Sequence, residues 1–288
     1  MAIDGIVLVD KPEGPTSHDV VAKARRIFGT RKVGHAGTLD PMATGMLILG
    51  IGKATRLLGY LTATDKEYLA TIRLGQATNT DDAQGEVTAT ADTSGISDED
   101  IINSVREFRG PISQVPSSVS AIKVNGQRAY ALVRKGEQVE LPARDVMIQD
   151  FAVLEINRVD NFIDVKVRVS CSAGTYIRAL ARDLGNKLKV GGHLTTLRRT
   201  RSGKFTQMRP LADIENSPSV IELAETVKLL FPVVEISGDD IKKAKNGMRV
   251  PLPVEVPPSV IGVFTNTGEI ISLCENVAGE LVPVVVFN

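Results

Sequence analysis

The sequence is poor in the residues that build disulfide frameworks and metal sites. Its 288 residues contain no tryptophan, two cysteines and three histidines. Cys171 and Cys274 form no C-x-x-C pair and have no histidine nearby in the sequence, so neither a disulfide framework nor a zinc site is supported. The histidines, His18, His35 and His193, are scattered along the chain. We therefore expect a reduced protein without a metal cofactor.

Long apolar runs and nucleotide-binding signatures are also missing. No apolar stretch approaches the roughly 20 residues that a membrane helix needs, and the first residues do not read as a secretion signal. The segment GIGKAT fails as a phosphate-binding loop because Leu47 stands where such a loop requires glycine, and Thr55 breaks the dinucleotide fingerprint. We expect a cytoplasmic location, no membrane partner, and no ATP, NAD or other nucleotide cofactor.

The charges balance overall but are unevenly distributed. The formal net charge is +0, which by itself does not predict nucleic-acid binding. Residues 168–204 hold nine basic residues and one acid, Asp183, whereas residues 81–107 are strongly acidic. A basic face can bind a polyanion even on a neutral protein. The alternative is a solvated helix face whose long arginine side chains cover the core.

The patterns of apolar residues predict an α+β fold. Alternation in KEYLATIRLG, residues 66–75, indicates a strand, and the paired runs at 144–159 and 162–171 indicate two more. Capped amphipathic patterns at 16–29, 97–108 and 172–188 indicate helices. Because strands come in runs with helices between them, we expect a mainly antiparallel sheet rather than a regular α/β alternation.

Changes in composition divide the chain into two parts. Residues 1–232 form the predicted main domain, and residues 233–288, rich in short strands and turns, form a predicted small β domain. Within the main domain, Pro116, the Asn125-Gly126 dipeptide and several basic residues mark an insertion at about residues 113–143. This insertion reads as a hairpin turn with a short helix.

The loop HAGTLDPMATG, His35 to Gly45, places one acid directly before a proline. Pro41 keeps Asp40 in an extended backbone, and the glycines permit tight turns and close approach of another backbone. Such a mount suits a nucleophile or base that must meet its target at one angle. An Asx turn, in which the carboxylate only binds local N–H groups, is the alternative.

Five sequence blocks taken together decide between these readings. They are VDKPEGPTSHDVV, GHAGTLDPMATGMLILGIGKATR, KEYLATIRLGQATNTDDAQG, QVPSSVSAIKVNGQRAYALVRKG and CSAGTYIRALARDLG, in this order. Together they closely resemble the bacterial tRNA pseudouridine synthases of the TruB family, from about Gly5 to Arg201. The resemblance implies a mixed, mainly antiparallel pseudouridine synthase core with an RNA-gripping insertion, followed by a small PUA-like C-terminal domain. For that domain, residues 233–288 are a short version.

The resemblance also implies an activity. Members convert uridine 55 in the T-arm of tRNA to pseudouridine, by extruding the base, breaking the N-glycosidic bond and rejoining the uracil through C5. Asp40 matches the catalytic aspartate, which acts either as a nucleophile at C1′ or C6 or by assisting elimination at the sugar. No cofactor is implied. The implied partner is the tRNA T stem-loop, and the absence of an assembly motif favours a monomer.

Other site residues follow from the same resemblance. Tyr68 matches an active-site tyrosine that stacks on uracil; without the resemblance, it would be interpreted as a core residue of a strand. Arg178 matches an arginine that pairs with Asp40; its alternative is a surface ion pair. Tyr176 matches a pocket residue that reaches the same pocket as Arg178 only near the start of a helix. Three further positions match pocket or loop-supporting residues: Lys11, His35 and Leu197.

The predicted contacts to the RNA backbone come from basic residues of two segments. They are Lys123 and Arg128 of the insertion and Arg198 and Arg199 of the basic stretch. Two other functions stay open from the residues alone. One is an RNA-binding protein without chemistry, for which Asp40 would be superfluous. The other is a nucleoside glycosidase, which needs a second acid near Asp40, such as Asp10 or Asp19.

Overall fold

The computed structural model describes residues 3–117, 123–124, 127–128, 141–254, 256 and 259–287. Within this part, ten strands form one large sheet, five form a second sheet near the C-terminus, and two short hairpins stand apart. The strands of the large sheet are β1 (Gly5–Lys11), β2 (Val33–Ala36), β3 (Thr44–Ile51), β4 (Lys66–Leu74), β7 (Gly110–Gln114), β10 (Arg144–Val159), β11 (Phe162–Cys171), β12 (Gly192–Ser202), β13 (Arg209–Pro210) and β14 (Ile221–Glu222).

The remaining strands are shorter or belong to the second sheet. The hairpins pair β5 (Gln76–Thr78) with β6 (Val87–Thr90) and β8 (Lys123–Val124) with β9 (Gln127–Arg128). The second sheet consists of β15 (Val233–Ile236), β16 (Val250–Pro251), β17 (Val260–Thr265), β18 (Ile270–Val277) and β19 (Glu280–Val286).

Helices connect these strands and cover the sheets. A 3₁₀ helix spans Gly52–Leu57, and the α-helices are α1 (Ser17–Ile27), α2 (Leu58–Thr62), α3 (Asp98–Arg106), α4 (Ile177–Lys187), α5 (Leu211–Asn216), α6 (Leu223–Leu230) and α7 (Asp239–Lys245). Thr16 and Ser97 close capping boxes at the starts of α1 and α3, as their sequences predict.

The large sheet is mixed and mainly antiparallel. Its order is β13-β1-β3-β12-β4-β11-β10-β7, with β14 paired to β1 and β2 paired to β3. The contacts of β12 with β3 and of β13 with β1 are parallel, and the other pairs are antiparallel. The predicted α+β class with a mainly antiparallel sheet is thus confirmed. The β3–β12 contact joins the two halves of the sheet.

Both faces of β3 are buried, which explains its uninterrupted apolar sequence. Leu47, Leu49 and Ile51 face a core shared with α1 and α4, whereas Met46 and Ile48 face a second core. This second core also contains Phe264, Leu273 and Phe287 from the C-terminal part of the chain. The small β sheet therefore packs on the large one through a continuous apolar contact.

The predicted insertion lies mostly outside the described residues. Within it, β8 and β9 pair antiparallel around the Asn125-Gly126 position, as a hairpin requires. The side chains of Lys123 and Arg128, and the predicted short helix, lie outside the part of the chain that the structure describes.

Candidate active site

A cleft of about 260 Å³ lies where the Asp40 loop meets the start of α4. Strands β4 and β12 form its floor, because Tyr68 and Leu197 project into it from neighbouring strands of the sheet. The residues that line it are Gly37, Thr38, Leu39, Asp40, Thr62, Lys66, Tyr68, Ser172, Gly174, Thr175, Tyr176, Ile177, Arg178, Leu197 and Arg199.

Hydrogen bonds from the chain around it hold the Asp40 loop in place. The Ser17 hydroxyl accepts from the Leu39 N–H at 2.9 Å and donates to the Leu39 carbonyl at 3.1 Å. Lys11, which is fully buried, donates to the carbonyl of Pro41 at 3.2 Å and to that of Pro12 at 2.8 Å. The loop before and after Asp40 is therefore fixed from below, while its carboxylate remains 36% exposed to the cleft.

Arg178 binds the Asp40 carboxylate with two nitrogens. Its Nε lies 3.0 Å from Oδ2, and its Nη2 donates to Oδ1 at 3.3 Å. The guanidinium is itself held from behind: Nη1 donates to the Thr80 carbonyl at 2.8 Å and lies 3.4 Å from Oδ2 of Asp82. Arg178 is only 5% exposed, so one buried cation joins an exposed carboxylate to a buried one.

Hydrogen bonds within its own loop hold the Asp82 side chain in place. The Thr80 hydroxyl donates to its Oδ1 at 2.6 Å, and the Gln84 N–H donates to the same oxygen at 3.1 Å. The Thr78 hydroxyl donates to the Asp82 carbonyl at 2.8 Å. Asp82 thus fixes the orientation of Arg178 rather than facing the cleft.

The start of α4 brings two predicted residues to the cleft together. Tyr176 is the residue just before the helix, and Arg178 lies in its first turn. The side-chain amide of Gln114 accepts from the Tyr176 N–H at 2.8 Å and donates to its carbonyl at 3.1 Å. The guanidinium of Arg144 lies 5.7 Å from the centre of the Tyr176 ring. Tyr176 and Arg178 therefore reach the same pocket because both lie at the start of a helix, as the sequence analysis requires.

Tyr68 stands on the cleft floor beside Arg199. It is 9% exposed, and burial raises the pKa of its phenol, so the hydroxyl keeps its proton at neutral pH. Arg199 is 1% exposed and donates to the carbonyls of Met46 at 2.6 Å and Gly37 at 3.0 Å. Arg199 therefore ties the base of the loop to β3.

His35 lies behind the loop rather than on the cleft wall. Burial lowers the pKa of its imidazole, with smaller contributions from His18 and Arg199. The rings of His35 and His18 meet edge to face at 5.4 Å. Its Nδ1 is buried and has no hydrogen-bond partner among the described residues.

Two buried lysines flank the site. Burial lowers the pKa of both Lys11 and Lys66 to about 8, and Asp40 partly offsets the effect at Lys11. Lys66 caps the end of α2 by donating to the carbonyls of Thr62 at 2.5 Å and of Thr64. It positions Thr62, which lines the cleft.

The burial of Arg199 does not fit its prediction as a contact to an RNA phosphate, whereas the side chain of Arg198 is 41% exposed and its contact stays a prediction. Arg198 makes a bidentate pair with Asp10, at 2.9 and 2.7 Å, and Arg199 is buried under the Asp40 loop. The period-two geometry of β12 turns the two neighbours to opposite faces, and each face already offers a partner.

The sequence missed three parts of this site. Asp82 lies in the acidic stretch 81–107, Lys66 lies in the strand predicted at 66–75, and Arg199 is among the predicted contacts to the RNA backbone. A signal for Lys66 was its position two residues before Tyr68, on the same strand face. Nothing in the local sequence links Asp82 to Arg178, because that contact forms only in the fold.

The described residues contain neither a cluster of metal ligands nor a membrane-spanning helix. No cluster of three or more histidine, cysteine, aspartate or glutamate side chains in this part of the chain is placed to hold a metal ion. Likewise, no helix within the described ranges is long and apolar enough to span a membrane.

Family models match most of the chain. Residues 25–177 match the N-terminal domain of the TruB family of pseudouridylate synthases, and residues 178–233 match the C-terminal domain of tRNA pseudouridylate synthase B. The tRNA pseudouridine synthase B of Thermobifida fusca (strain YX) is 52% identical over 290 residues, covering 99% of this chain and 98% of that protein. The protein of the same name from Mycobacterium sp. (strain KMS) is 55% identical over 278 residues, covering 94% and 92%.

Solved structures resemble the whole fold. The Cbf5-Nop10-Gar1 complex contains a chain that matches with a TM-score of 0.72 and 28% identity, over 99% of this chain and 84% of that one. A chain of an H/ACA RNP bound to a substrate RNA containing 2′-deoxyuridine matches with a TM-score of 0.72 and 26% identity, over 99% and 84%. The chain therefore belongs to the TruB family of pseudouridylate synthases.

Proposed function

We propose that this protein converts uridine 55 in the T-arm of tRNA to pseudouridine, with Asp40 as the catalytic carboxylate. The observation that carries the proposal is the bidentate pair between Asp40 and the buried Arg178 at the mouth of a cleft. The planar fork of the guanidinium fixes the direction in which the carboxylate oxygens point. An oriented and partly exposed carboxylate is the group that the reaction requires.

The reaction needs no external atoms or electrons. The bond between N1 of the uracil and C1′ of the ribose breaks, the base turns, and a bond forms between C5 and C1′. The C5 proton is lost and N1 gains a proton, so the isomerisation balances. Asp40 either attacks C1′ or C6 or assists elimination at the sugar; all three routes use the same ionised carboxylate.

The cleft walls suit a base that has left its stack. Tyr68 and Leu197 offer an aromatic ring and an apolar side chain, on which the faces of a flipped base can pack. Extruding a nucleotide costs a few kcal/mol, which contacts to the rest of the RNA must offset. We propose that Tyr68 stacks on the uracil and that its protonated hydroxyl serves as a donor.

Transfer RNA is the substrate that the relatives' names support, since the similar proteins are called tRNA pseudouridine synthase B. The choice of uridine 55 rests on the five sequence blocks. The test is incubation of the purified protein with an unmodified tRNA transcript, followed by carbodiimide mapping of pseudouridine. We expect one new signal at position 55, and none in a transcript that carries cytidine there.

Three other results would contradict parts of the proposed function. A signal at another uridine would overturn the position. Tight tRNA binding without any signal would indicate a binding protein. Release of free uracil would indicate a glycosidase, although the acids suggested for that role are engaged: Asp10 with Arg198 and Asp19 with Thr16.

A further inference from the structure

The basic stretch at residues 168–204 is largely neutralised within the fold. Arg168 pairs with Asp150, Arg182 with Asp81 and Asp183, Lys187 with Glu107 and Arg198 with Asp10. Arg178 contacts Asp40 and Asp82, and Arg199 is buried. Of the nine basic residues, Lys189, Arg201 and Lys204 make no ion pair with the residues that the structure describes. The segment therefore offers less free positive charge than its sequence suggests, and exposed basic residues elsewhere also need to be considered.

Four exposed basic residues lie together where α1 ends and β2 begins. They are Arg25, Arg26, Arg31 and Lys32, and we call them the α1–β2 basic surface. The side chains of Arg26, Arg31 and Lys32 make no ion pair or hydrogen bond with any residue that the structure describes. Arg25 donates to the Val33 carbonyl at 3.3 Å, which holds the end of α1 against β2.

The acids near this surface already have partners. Glu215 pairs with Lys23 at 2.7 Å, and Asp4 accepts from the backbone N–H of Lys53 at 2.7 Å. Asp19 closes the capping box of α1 with Thr16 at the other end of the helix. The positive charge of the surface is therefore available to an outside anion.

The surface is connected directly to the active site. Helix α1 begins at Ser17, whose hydroxyl holds the Leu39 backbone beside Asp40, and its 11 residues extend about 16 Å to the basic end. Strand β2 runs back along the same route, from Val33 to the loop that carries Asp40. An RNA that is longer than this distance can contact the surface while its target nucleotide lies in the cleft.

We propose that the α1–β2 basic surface binds backbone phosphates of the substrate RNA at a distance of about the length of α1 from the extruded nucleotide. The inference rests on the proposed function, because it assumes that an RNA occupies the cleft. Arginine and lysine contacts to phosphates supply affinity and fix register without reading sequence. Binding here holds the RNA in position while Asp40 acts on the flipped uridine.

The test compares two triple variants that lose the same residue types. One is Arg26→Gln/Arg31→Gln/Lys32→Gln; the control is Arg106→Gln/Arg158→Gln/Lys166→Gln, on α3, β10 and β11 in the other half of the sheet. For the first, we expect tRNA affinity to fall on the order of tenfold to a hundredfold at about 0.1 M salt, and the slope of log affinity against log salt to become less steep by about three. The control should retain the wild-type affinity and slope.

Turnover separates the failure of this proposal from that of the proposed function. The triple variant of the α1–β2 basic surface should show a raised KM and an unchanged kcat, because none of the three substituted residues lines the cleft. An active wild type with equal affinity in the two triple variants would overturn the surface, whereas an inactive wild type would overturn the proposed function. If the triple variant melts early, the single variants Arg31→Gln and Lys32→Gln each carry the test, with about one unit of salt slope expected from each.

Discussion

Asp40 and Arg178 are unequally exposed, and this difference suits the catalytic role proposed for the Asp40 carboxylate. The carboxylate is 36% exposed at the cleft, whereas the guanidinium is 5% exposed and is held from behind by Thr80 and Asp82. Because the guanidinium is buried and bound on both sides, the pair keeps its geometry, and the exposed edge of the carboxylate stays open to a substrate. In the proposed reaction, Asp82 balances the charge of Arg178 while Asp40 acts on the substrate.

Replacing Arg178 by lysine tests this geometry. Lysine keeps the charge but cannot make the two-point contact or reach Thr80 and Asp82 together. We expect kcat to fall roughly a hundredfold, as for other small misplacements of a reacting group. The matched control is Arg73→Lys, in the bidentate Arg73–Asp164 pair on β4 and β11, which should leave kcat unchanged. Equal kcat values in the two variants would contradict the role of the pair.

Lys11 gives the molecule a pH-dependent stability. Burial lowers its pKa from 10.5 to about 8. Below about pH 8, the Lys11 amine is protonated in both the folded and the unfolded state, so the cost of burying its charge is fully present. Between about pH 8 and 10.5, only the unfolded state keeps this proton. The free energy of unfolding therefore rises with pH in that range. The stability of Lys11→Met minus that of the wild type should therefore decrease from pH 7 to pH 10.

Urea unfolding of both proteins across this range measures the difference. Lys66, whose pKa is also about 8, is present in both proteins, so its contribution cancels. A difference that stays constant from pH 7 to pH 10 would show that Lys11 does not titrate there.

The residues of the site were predictable to the extent that they stand in distinctive local sequences. The Asp-Pro dipeptide in a glycine-rich loop and the five blocks indicated Asp40, Tyr68 and Arg178, and the structure places these three around one cleft. Asp82 and the burial of Arg199 were out of reach, because both depend on contacts between segments about 100 residues or more apart.

At the scale of elements, the site depends on the parallel contact between β3 and β12. Gly45 pairs with Arg199 at this contact. A Cβ at Gly45 would lie 2.2 Å from the Arg199 carbonyl oxygen, and its φ of +96° is one that residues with a side chain rarely adopt. Only glycine lets the strands approach closely enough for Arg199 to reach the Asp40 loop.

Gly45→Ala should therefore be severely destabilising. We expect a loss of at least about 3 kcal/mol in the free energy of unfolding, from backbone strain and displacement of β12. Gly29→Ala is the matched control: its φ is +60°, but a Cβ there meets nothing within 4 Å, so about 1 kcal/mol should be lost. Urea denaturation compares them, and equal losses would mean that the close approach is unimportant.

Element types were predicted better than their arrangement. Alternating and 3.6-residue patterns located β4, β10, β11, α1 and α3 from local sequence. The sheet order could not be read in this way, because the pairing of β12 with both β3 and β4 joins strands more than 100 residues apart. That order places the Asp40 loop beside Tyr68 and Leu197.

At the scale of the whole molecule, one apolar core joins the two sheets, and the C-terminal sheet has a further core of its own. The sequence predicted a separate small domain from residue 233, and a five-stranded sheet does begin at Val233. Its Phe264, Leu273 and Phe287 nevertheless pack with Met46 and side chains of the 3₁₀ helix and α2. A composition change marks where a new sheet begins, but it does not reveal which apolar face the sheet covers.

This shared core predicts a single cooperative unfolding transition. Phe264→Ala should lower the free energy of unfolding by about 3–5 kcal/mol for the whole chain, since the side chain is 2% exposed and lies between the sheets. The exposed Val277→Ala serves as the control and should change it by less than about 0.5 kcal/mol. Two separate thermal transitions, with only the second shifted by Phe264→Ala, would show that the sheets fold independently.

The measurement that bears most directly on the whole account is pseudouridine formation by Asp40→Asn. Asparagine keeps the shape of the side chain but removes its negative charge. Under single-turnover conditions with unmodified tRNA, we predict that the rate falls by at least roughly 10⁴-fold, as when other essential catalytic groups are removed, while the dissociation constant for tRNA stays near the wild-type value. A near-normal rate of pseudouridine formation at uridine 55 would contradict the assignment of Asp40 as the catalytic carboxylate.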